Sequence, residues 1–214
     1  MATAIWAKSA DGNVTSPAHV TYDEFLRQTE GEFAEWEGGK IRRRDSLVSY
    51  THTEIGAFLV TLLRTFTEDS GTGRVIYAPF QMRLQAVNRG REPDVAVVLT
   101  RNVVRILPNY LDGPADLAIE IVSPESEERD RQIKFAEYET CGVTEYWIVD
   151  PATRTAEFYV RDSLTGKYAA RMHDANGNYE SAVLSGFWLT VAWLWQTPLP
   201  TLRTVTAAWA AGKP

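Results

Sequence analysis

Three charged side chains in the middle of the chain have the types and spacing of a metal-assisted hydrolytic site. Asp94 begins a predicted buried strand, Glu120 lies late in a second one, and Lys134 lies on the helix that follows. If the two strands are neighbours, both carboxylates meet at one edge of the sheet and the lysine reaches over them. The alternative interpretation is that these residues are caps or structural ion pairs, which are common beside strands.

The chemistry of such a site follows from its charges. Two carboxylates a few ångström apart repel each other, and the pKa of one rises unless a cation shares the site. Mg²⁺, with Mn²⁺ as a substitute, resolves this conflict because it takes oxygen ligands and keeps several waters. The ion can polarise a phosphoryl oxygen and lower the pKa of a bound water. A lysine can then steer or deprotonate that water, or stabilise charge on the phosphate. Phosphodiester hydrolysis uses all three groups.

The strand that carries Glu120 is predicted from its alternating pattern. Leu117, Ile119 and Ile121 share one face, so Glu120 points to the other face. Both faces are fairly apolar, which is typical of a central strand covered on both sides. A carboxylate in this position is costly unless a cation or a proton donor meets it.

A helix of about residues 126–140 is predicted directly after this strand. Ser123-Pro124 ends the strand because proline cannot donate to a sheet ladder. Asp130, Lys134 and Tyr138 then follow at intervals of four, which places them on one side of the helix. Packing is the simpler interpretation of Tyr138, and a role beside Lys134 is the alternative.

The rest of the chain predicts one α/β domain over residues 21–214, preceded by an arm or loop over residues 1–20. Gly38-Gly39 predicts a hairpin between two strands. Thr51 and Glu54 form a capping-box pattern before an amphipathic helix that ends near Ser70-Gly71. Glu54 is therefore interpreted first as a cap partner, with an accessory site role as the alternative. His52 has the same two interpretations, with the start of the helix as its first role.

Composition excludes several classes of protein. Of the 214 residues, 44% are hydrophobic and 23% charged, and the single cysteine, Cys141, excludes an internal disulfide framework and a cysteine zinc site. No apolar run approaches the roughly 20 residues of a membrane helix. The N-terminus lacks the apolar core of a secretory signal, so we expect no membrane association and a cytoplasmic location.

Charge is unevenly distributed along the chain. The formal net charge of −6 argues mildly against a general nucleic-acid binder. Residues 40–105, however, contain eleven Lys or Arg against six Asp or Glu. This distribution favours either a basic surface within an acidic protein or arginines scattered over a solvated surface.

Several short motifs lie along the middle of the chain, in the order Pro93-Asp94, Glu120-Ile121-Val122-Ser123-Pro124, Asp130, Lys134, Tyr138, Gly142-Val143 and Glu145-Tyr146-Trp147-Ile148-Val149-Asp150-Pro151. Together these motifs resemble the Uma-type restriction endonucleases of the PD-(D/E)XK nuclease superfamily. The match is specific over residues 93–151 and looser over the N-terminal helix, over Glu35-Trp36-Glu37-Gly38-Gly39 and over the Trp-rich C-terminal segment. The resemblance therefore covers most of the chain.

The resemblance implies a restriction-endonuclease-like fold, a mixed β-sheet flanked by helices, with an N-terminal β-hairpin and extra C-terminal strands. It implies Mg²⁺ as cofactor, with Asp94 and Glu120 as the motif acids that bind it. The superfamily's usual lysine stands two residues after the glutamate, where this chain has Val122. In this family the lysine is moved to the next helix, and Lys134 matches the moved position.

The first functional hypothesis is a Mg²⁺-dependent DNA endonuclease with Asp94, Glu120 and Lys134 as catalytic residues. Candidate contacts to the DNA backbone are Arg42, Arg44, Arg89 and Arg91. The second hypothesis is a nuclease-like fold kept as a binding or assembly module without turnover. RNA or a mobile-element intermediate is a third candidate substrate. Cutting both strands of a duplex would suit a homodimer, and no recognition motif indicates a target sequence.

Overall fold

The computed structural model describes residues 7–8, 14–15, 19–43 and 48–212. The strands are β1 (Ala7–Lys8), β2 (Val14–Thr15), β3 (Ala34–Glu37), β4 (Lys40–Arg43), β5 (Gly73–Tyr77), β6 (Gln81–Leu84), β7 (Arg89–Arg91), β8 (Val95–Leu99), β9 (Tyr110–Asp112), β10 (Leu117–Ile121), β11 (Glu145–Asp150), β12 (Thr155–Arg161), β13 (Tyr168–Arg171), β14 (Asn178–Glu180) and β15 (Trp188–Thr190). The helices are α1 (Tyr22–Gln28), α2 (Tyr50–Ser70), α3 (Phe135–Cys141) and α4 (Leu202–Ala211), with shorter 3₁₀ turns over Gln85–Val87, Thr100–Arg105 and Val191–Trp195 and a π-helical turn over Arg129–Lys134.

A mixed sheet, which we call the central sheet, has the strand order β13-β12-β11-β10-β8-β5 within the described residues. Its middle strand β10 runs parallel to β11 and antiparallel to β8. Parallel pairing requires a crossover, and the π-helical turn with α3 provides it. This arrangement confirms the predicted α/β fold with a mixed sheet and flanking helices.

Both faces of β10 are buried, as the sequence predicts. Leu117, Ile119 and Ile121 face a core that also contains buried residues of α2 and of the C-terminal segment. Ala118 faces a second core that contains Tyr138 from α3. The Trp-rich C-terminal segment packs against the same face of the sheet, because Leu194 lies in the first core.

No helix in the described part of the chain is long and apolar enough to cross a bilayer.

A second sheet, the N-terminal sheet, has the order β1-β2-β4-β3-β7-β6-β9 in the part of the chain that is described. The predicted hairpin around Gly38-Gly39 is confirmed as β3 and β4, in which Glu37 pairs with Lys40. β7 then pairs with β3, with Gly90 opposite Trp36. A Cβ at Gly90 would lie 2.8 Å from a ring carbon of Tyr22, so only glycine lets β7 approach this closely.

Two local predictions are corrected. The sequence Asn88-Arg89-Gly90-Arg91 predicts a turn, but Arg89–Arg91 is strand β7 because β3 and β6 hydrogen-bond to it on both sides. Pro108, Gly113 and Pro114 predict irregular structure over residues 100–115, but this region contains strand β9. β1 and β2 pair with each other inside the predicted N-terminal arm, whose other residues before His19 lie outside the described residues.

The start of α2 also differs from its prediction. Its N-cap is Ser49, whose hydroxyl accepts from the backbone N–H of His52, whereas the sequence indicated a box of Thr51 and Glu54. The predicted end is confirmed, since α2 ends at Ser70 and Gly71 adopts the left-handed conformation.

We therefore expect Ser49→Ala to destabilise the protein by about 1 kcal/mol, because a free N–H of the first turn loses its partner. Thr51→Ala is the matched control, and it should leave the free energy of unfolding nearly unchanged or raise it slightly, since alanine favours helix. Urea titrations followed by circular dichroism measure both values. Equal losses in the two variants would contradict the observed cap.

Candidate active site

The pairing of β8 with β10 brings the first acid to the end of β10. The antiparallel register sets Val95 opposite Ile119, so Asp94 lies beside the residues that follow. The backbone N–H of Ile121 donates to Oδ2 of Asp94 at 2.8 Å. The Asp94 carboxylate therefore lies next to the residue that follows Glu120 and faces the same edge of the sheet.

Glu120 is 1% exposed, and its carboxylate is held from two directions. The hydroxyl of Tyr138 donates to Oε1 at 2.7 Å, and Nζ of Lys134 lies 2.7 Å from Oε2. Burial, together with the negative charge of Glu120, raises the pKa of Tyr138 well above its ordinary value, so the hydroxyl keeps its proton and donates. Tyr138 thus touches the candidate site as well as the core.

The ammonium of Lys134 is fully buried among three carboxylates. Besides Glu120, Nζ lies 3.4 Å from Oε1 of Glu35 and 3.3 Å from Oδ1 of Asp130. The π-helical turn carries both Asp130 and Lys134, and both residues are buried. Glu35 also pairs with Arg91, and Asp130 lies 3.9 Å from Arg129, so several acids and cations share the charge of this buried cluster.

Sequence reasoning identified Asp130 and Lys134 but gave Glu35 no role in the site. Oε2 of Glu35 accepts from Arg91 at 2.8 Å, and Arg91 also contacts both carboxylate oxygens of Glu137. A buried carboxylate between two cations holds both in place. The single hint in the sequence is the loose match around Glu35-Trp36-Glu37, which carries no spacing signal toward Lys134.

The expectation that Arg91 contacts DNA is corrected by its environment. The side chain is 1% exposed and faces Glu35, Glu37 and Glu137. Although burial opposes its charge, these carboxylates raise the pKa of Arg91 above its ordinary value. Arg91 therefore anchors the acids behind Lys134 and has no surface to offer to a phosphate.

The other three basic candidates have different surroundings. Arg42 is mostly buried and lies 3.4 Å from Glu37. Arg89 is about one-third exposed and lies 3.2 Å from Glu137. Arg44 lies outside the described residues. Of these, Arg89 has the surface exposure that a contact to DNA requires.

The two accessory candidates on α2, His52 and Glu54, lie in different surroundings. Nε2 of His52 lies 3.3 Å from Oδ2 of Asp94, because the Ser49 cap fixes the first turn of the helix beside β8. Glu54 is exposed and lines a neighbouring cleft with Arg154 and Trp195. The structure therefore brings His52 to the acids and leaves Glu54 apart from them.

A cleft of about 420 Å³ opens over this edge of the sheet. Asp94 and Glu120 line it, together with His52, Arg129 and Asp130. The cleft gives an external molecule access to the two motif acids.

The donor groups of the cleft fit a hydrated hard cation. Within residues 19–43 and 48–212, no three side chains of His, Cys, Asp or Glu cluster as a preformed metal site. Mg²⁺ does not require such a cage, since it usually binds through one or two carboxylates and keeps several waters. Asp94 and Glu120 supply two carboxylates at the cleft. The residues present therefore fit Mg²⁺ better than a closed zinc site.

Comparison with protein families identifies the family of this chain. Residues 22–192 match the Uma2 family, described as "Putative restriction endonuclease". The chain belongs to the Uma2 family. The matched range includes all of Asp94, Glu120 and Lys134, and family membership supports a nuclease function.

Solved structures support the same fold. A crystal structure of "a putative nuclease belonging to DUF820" from Anabaena variabilis matches with a TM-score of 0.66 and 18% sequence identity. The match covers 82% of this chain and 97% of that one. No curated protein gives a significant match.

Val122 stands where the resemblance to PD-(D/E)XK nucleases predicts a lysine. Val122 packs in the second core with Tyr138, and the ammonium of Lys134 reaches Glu120 from the π-helical turn. The positive charge beside Glu120 therefore comes from a later position in the sequence.

Proposed function

We propose that this chain is a metal-dependent endonuclease that hydrolyses phosphodiester bonds of DNA. The observation that carries this proposal is that Asp94 and Glu120 line one cleft, with the buried Lys134 ammonium 2.7 Å from Glu120. Membership in a family described as restriction endonucleases supports DNA as the substrate. RNA and mobile-element intermediates are tested as competing substrates in the same assay.

In the proposed mechanism, Asp94 and Glu120 would hold Mg²⁺ at the end of β10. When bound there, the ion would supply polarisation of the phosphate and a lowered pKa of a bound water. Hydrogen bonds from Ile121 and Tyr138 fix the two carboxylates, so little reorganisation is needed when charge develops. Second-sphere partners of this kind orient metal ligands.

Lys134 supplies the positive charge beside Glu120. Its ammonium orients the attacking water or stabilises the charge that builds on the phosphate oxygens. Glu35 and Asp130 keep this ammonium in place from the other sides. His52, beside Asp94, is proposed as an accessory residue that orients this carboxylate.

A supercoiled-plasmid assay with Mg²⁺ or Mn²⁺ tests the proposal. The wild type should nick or linearise the plasmid, EDTA should stop the reaction, and Glu120→Gln should abolish it. Cleavage that persists in Glu120→Gln would indicate a contaminant or another site. A wild type that cleaves neither DNA nor RNA would contradict the proposal and favour the alternative of a binding or assembly module without turnover.

Tyr138→Phe is expected to slow cleavage by about 10- to 100-fold, because Glu120 loses the hydrogen bond that orients it. Tyr168→Phe is the matched control, since its hydroxyl donates to the backbone oxygen of Val143, away from the cleft. Initial rates at saturating Mg²⁺ measure the effect. Equal rates for Tyr138→Phe and the wild type would show that Glu120 needs no such support.

If the enzyme cuts both strands of a duplex, a homodimer with two-fold symmetry would place one site on each strand. Analytical ultracentrifugation with and without duplex DNA measures the oligomeric state.

A further inference from the structure

Arg129 is a buried cation that faces the cleft. It is 9% exposed and lines the cleft with Asp94 and Glu120. Its nearest acid is Asp130, with Nε of Arg129 3.9 Å from Oδ1. Across the described ranges of the chain, the Nε–H of Arg129 has no hydrogen-bond partner.

This environment differs from that of the other buried cations of the site. Arg91 has close contacts to three carboxylates, and Lys134 lies within 3.4 Å of three. A buried guanidinium whose Nε–H lacks a hydrogen-bond partner among the described residues is costly, since its desolvation is only partly offset by the distant Asp130 carboxylate. An anion that enters the cleft can accept hydrogen bonds from this guanidinium and so offset the cost of its burial.

The position of Arg129 defines where this anion would lie. Arg129 and Asp130 are neighbours on the π-helical turn, and Asp130 contacts Lys134. An anion on the guanidinium would therefore lie at the cleft, close to the two motif acids. π-Helical turns are often found at functional sites.

We infer that Arg129 binds a non-bridging phosphate oxygen of the substrate backbone in this cleft. The guanidinium presents paired N–H donors that match a phosphodiester oxygen pair, whereas lysine offers only a point charge. This inference rests on the proposed function, because it assigns the nucleic-acid backbone as the ligand of the same cleft. Arg129 thus takes the place of Arg91 as the proposed contact to the DNA backbone.

Fluorescence anisotropy with a short labelled DNA duplex tests the inference. Ca²⁺ replaces Mg²⁺ so that binding is measured apart from cleavage, and the salt concentration is varied. We expect Arg129→Gln to weaken binding about tenfold and to reduce the slope of log K against log salt by about one, the value for one lost phosphate contact. Arg129→Lys should keep the slope and lose part of the affinity.

Arg64→Gln is the matched control, because Arg64 is exposed on α2 and pairs with Glu68. It should retain wild-type affinity and nearly the wild-type slope. If Arg129 had only a structural role, both Arg129 variants would unfold at a lower temperature. The two variants would then show the same slope of log K against log salt, and this result would contradict the inference.

The outcomes distinguish this inference from the proposed activity. A folded Arg129→Gln variant with wild-type affinity and slope would overturn it, as would a wild type that does not bind the duplex. If the wild type binds with the expected slopes but never nicks a plasmid, the phosphate contact stands and the nuclease proposal falls.

Discussion

A Lys134→Met variant is expected to cleave DNA on the order of 10³-fold more slowly than the wild type, the upper range for loss of one transition-state partner. Methionine retains the unbranched shape of the side chain and removes its charge. Glu35, Glu120 and Asp130 then face one another without the ammonium that lies within 3.4 Å of each. The variant should also be less stable by roughly 3–5 kcal/mol, the cost of breaking a buried ion pair.

Two further variants separate the catalytic effect from the loss of stability. Lys167→Met removes an exposed lysine that pairs with Glu139, so its rate and stability should stay near those of the wild type. Lys134→Arg keeps the charge and so should lose less stability than Lys134→Met, although the planar guanidinium replaces the point charge of the ammonium and changes the contacts to the three carboxylates. Single-turnover rates should fall in both Lys134 variants. A folded Lys134→Met protein with wild-type rates would remove Lys134 from the mechanism.

Glu145→Gln is expected to destabilise the protein by about 2–4 kcal/mol, the combined cost of unsatisfied buried donors. Glu145 is fully buried at the start of β11 and accepts four hydrogen bonds. Oε1 accepts from the indole N–H of Trp147 and the hydroxyl of Tyr179, and Oε2 accepts from the hydroxyl of Ser181 and the backbone N–H of Val183. Hydroxyls can rotate and accept, but N–H groups cannot.

Glutamine therefore cannot satisfy this position in either orientation. Its amide nitrogen must face one of two fixed N–H donors, from Trp147 or from Val183. The carboxylate thus ties the segment that includes β14 to the central sheet. Thermal unfolding should show a decrease of roughly 5–10 °C. Glu68→Gln, at an exposed helix position, is the control and should change the melting temperature little.

The sequence predicted those parts of the fold that depend on local patterns. The alternation of Leu117, Ile119 and Ile121 identified β10 and the face that carries Glu120, because period-2 burial on both sides leaves a clear signal. The same pattern with turn residues identified the hairpin of β3 and β4. Short strands were missed: β7 contains Gly90 and two arginines, so pairing partners rather than propensity make it a strand.

The sequence indicated the motif residues of the candidate site but not the residues that contact and hold them. Asp94, Glu120 and Lys134 lie on elements with recognisable patterns. Glu35 comes from the N-terminal sheet, and no local pattern links it to Lys134. The sequence alone does not distinguish Arg91 from Arg129. The difference lies in the fold, because Arg91 contacts three carboxylates and the Nε–H of Arg129 has no hydrogen-bond partner in the described part of the chain. The π-helical turn carries no sequence signal that we recognised.

The acids around Lys134 come from widely separated positions in the chain. Glu35 belongs to an early hairpin, Glu120 to the middle of the chain, and Asp130 to the segment before α3. During synthesis, residues up to Lys134 must leave the ribosome before this cluster can close. A nascent polypeptide therefore holds no assembled cluster around Lys134 until at least residue 134 has emerged.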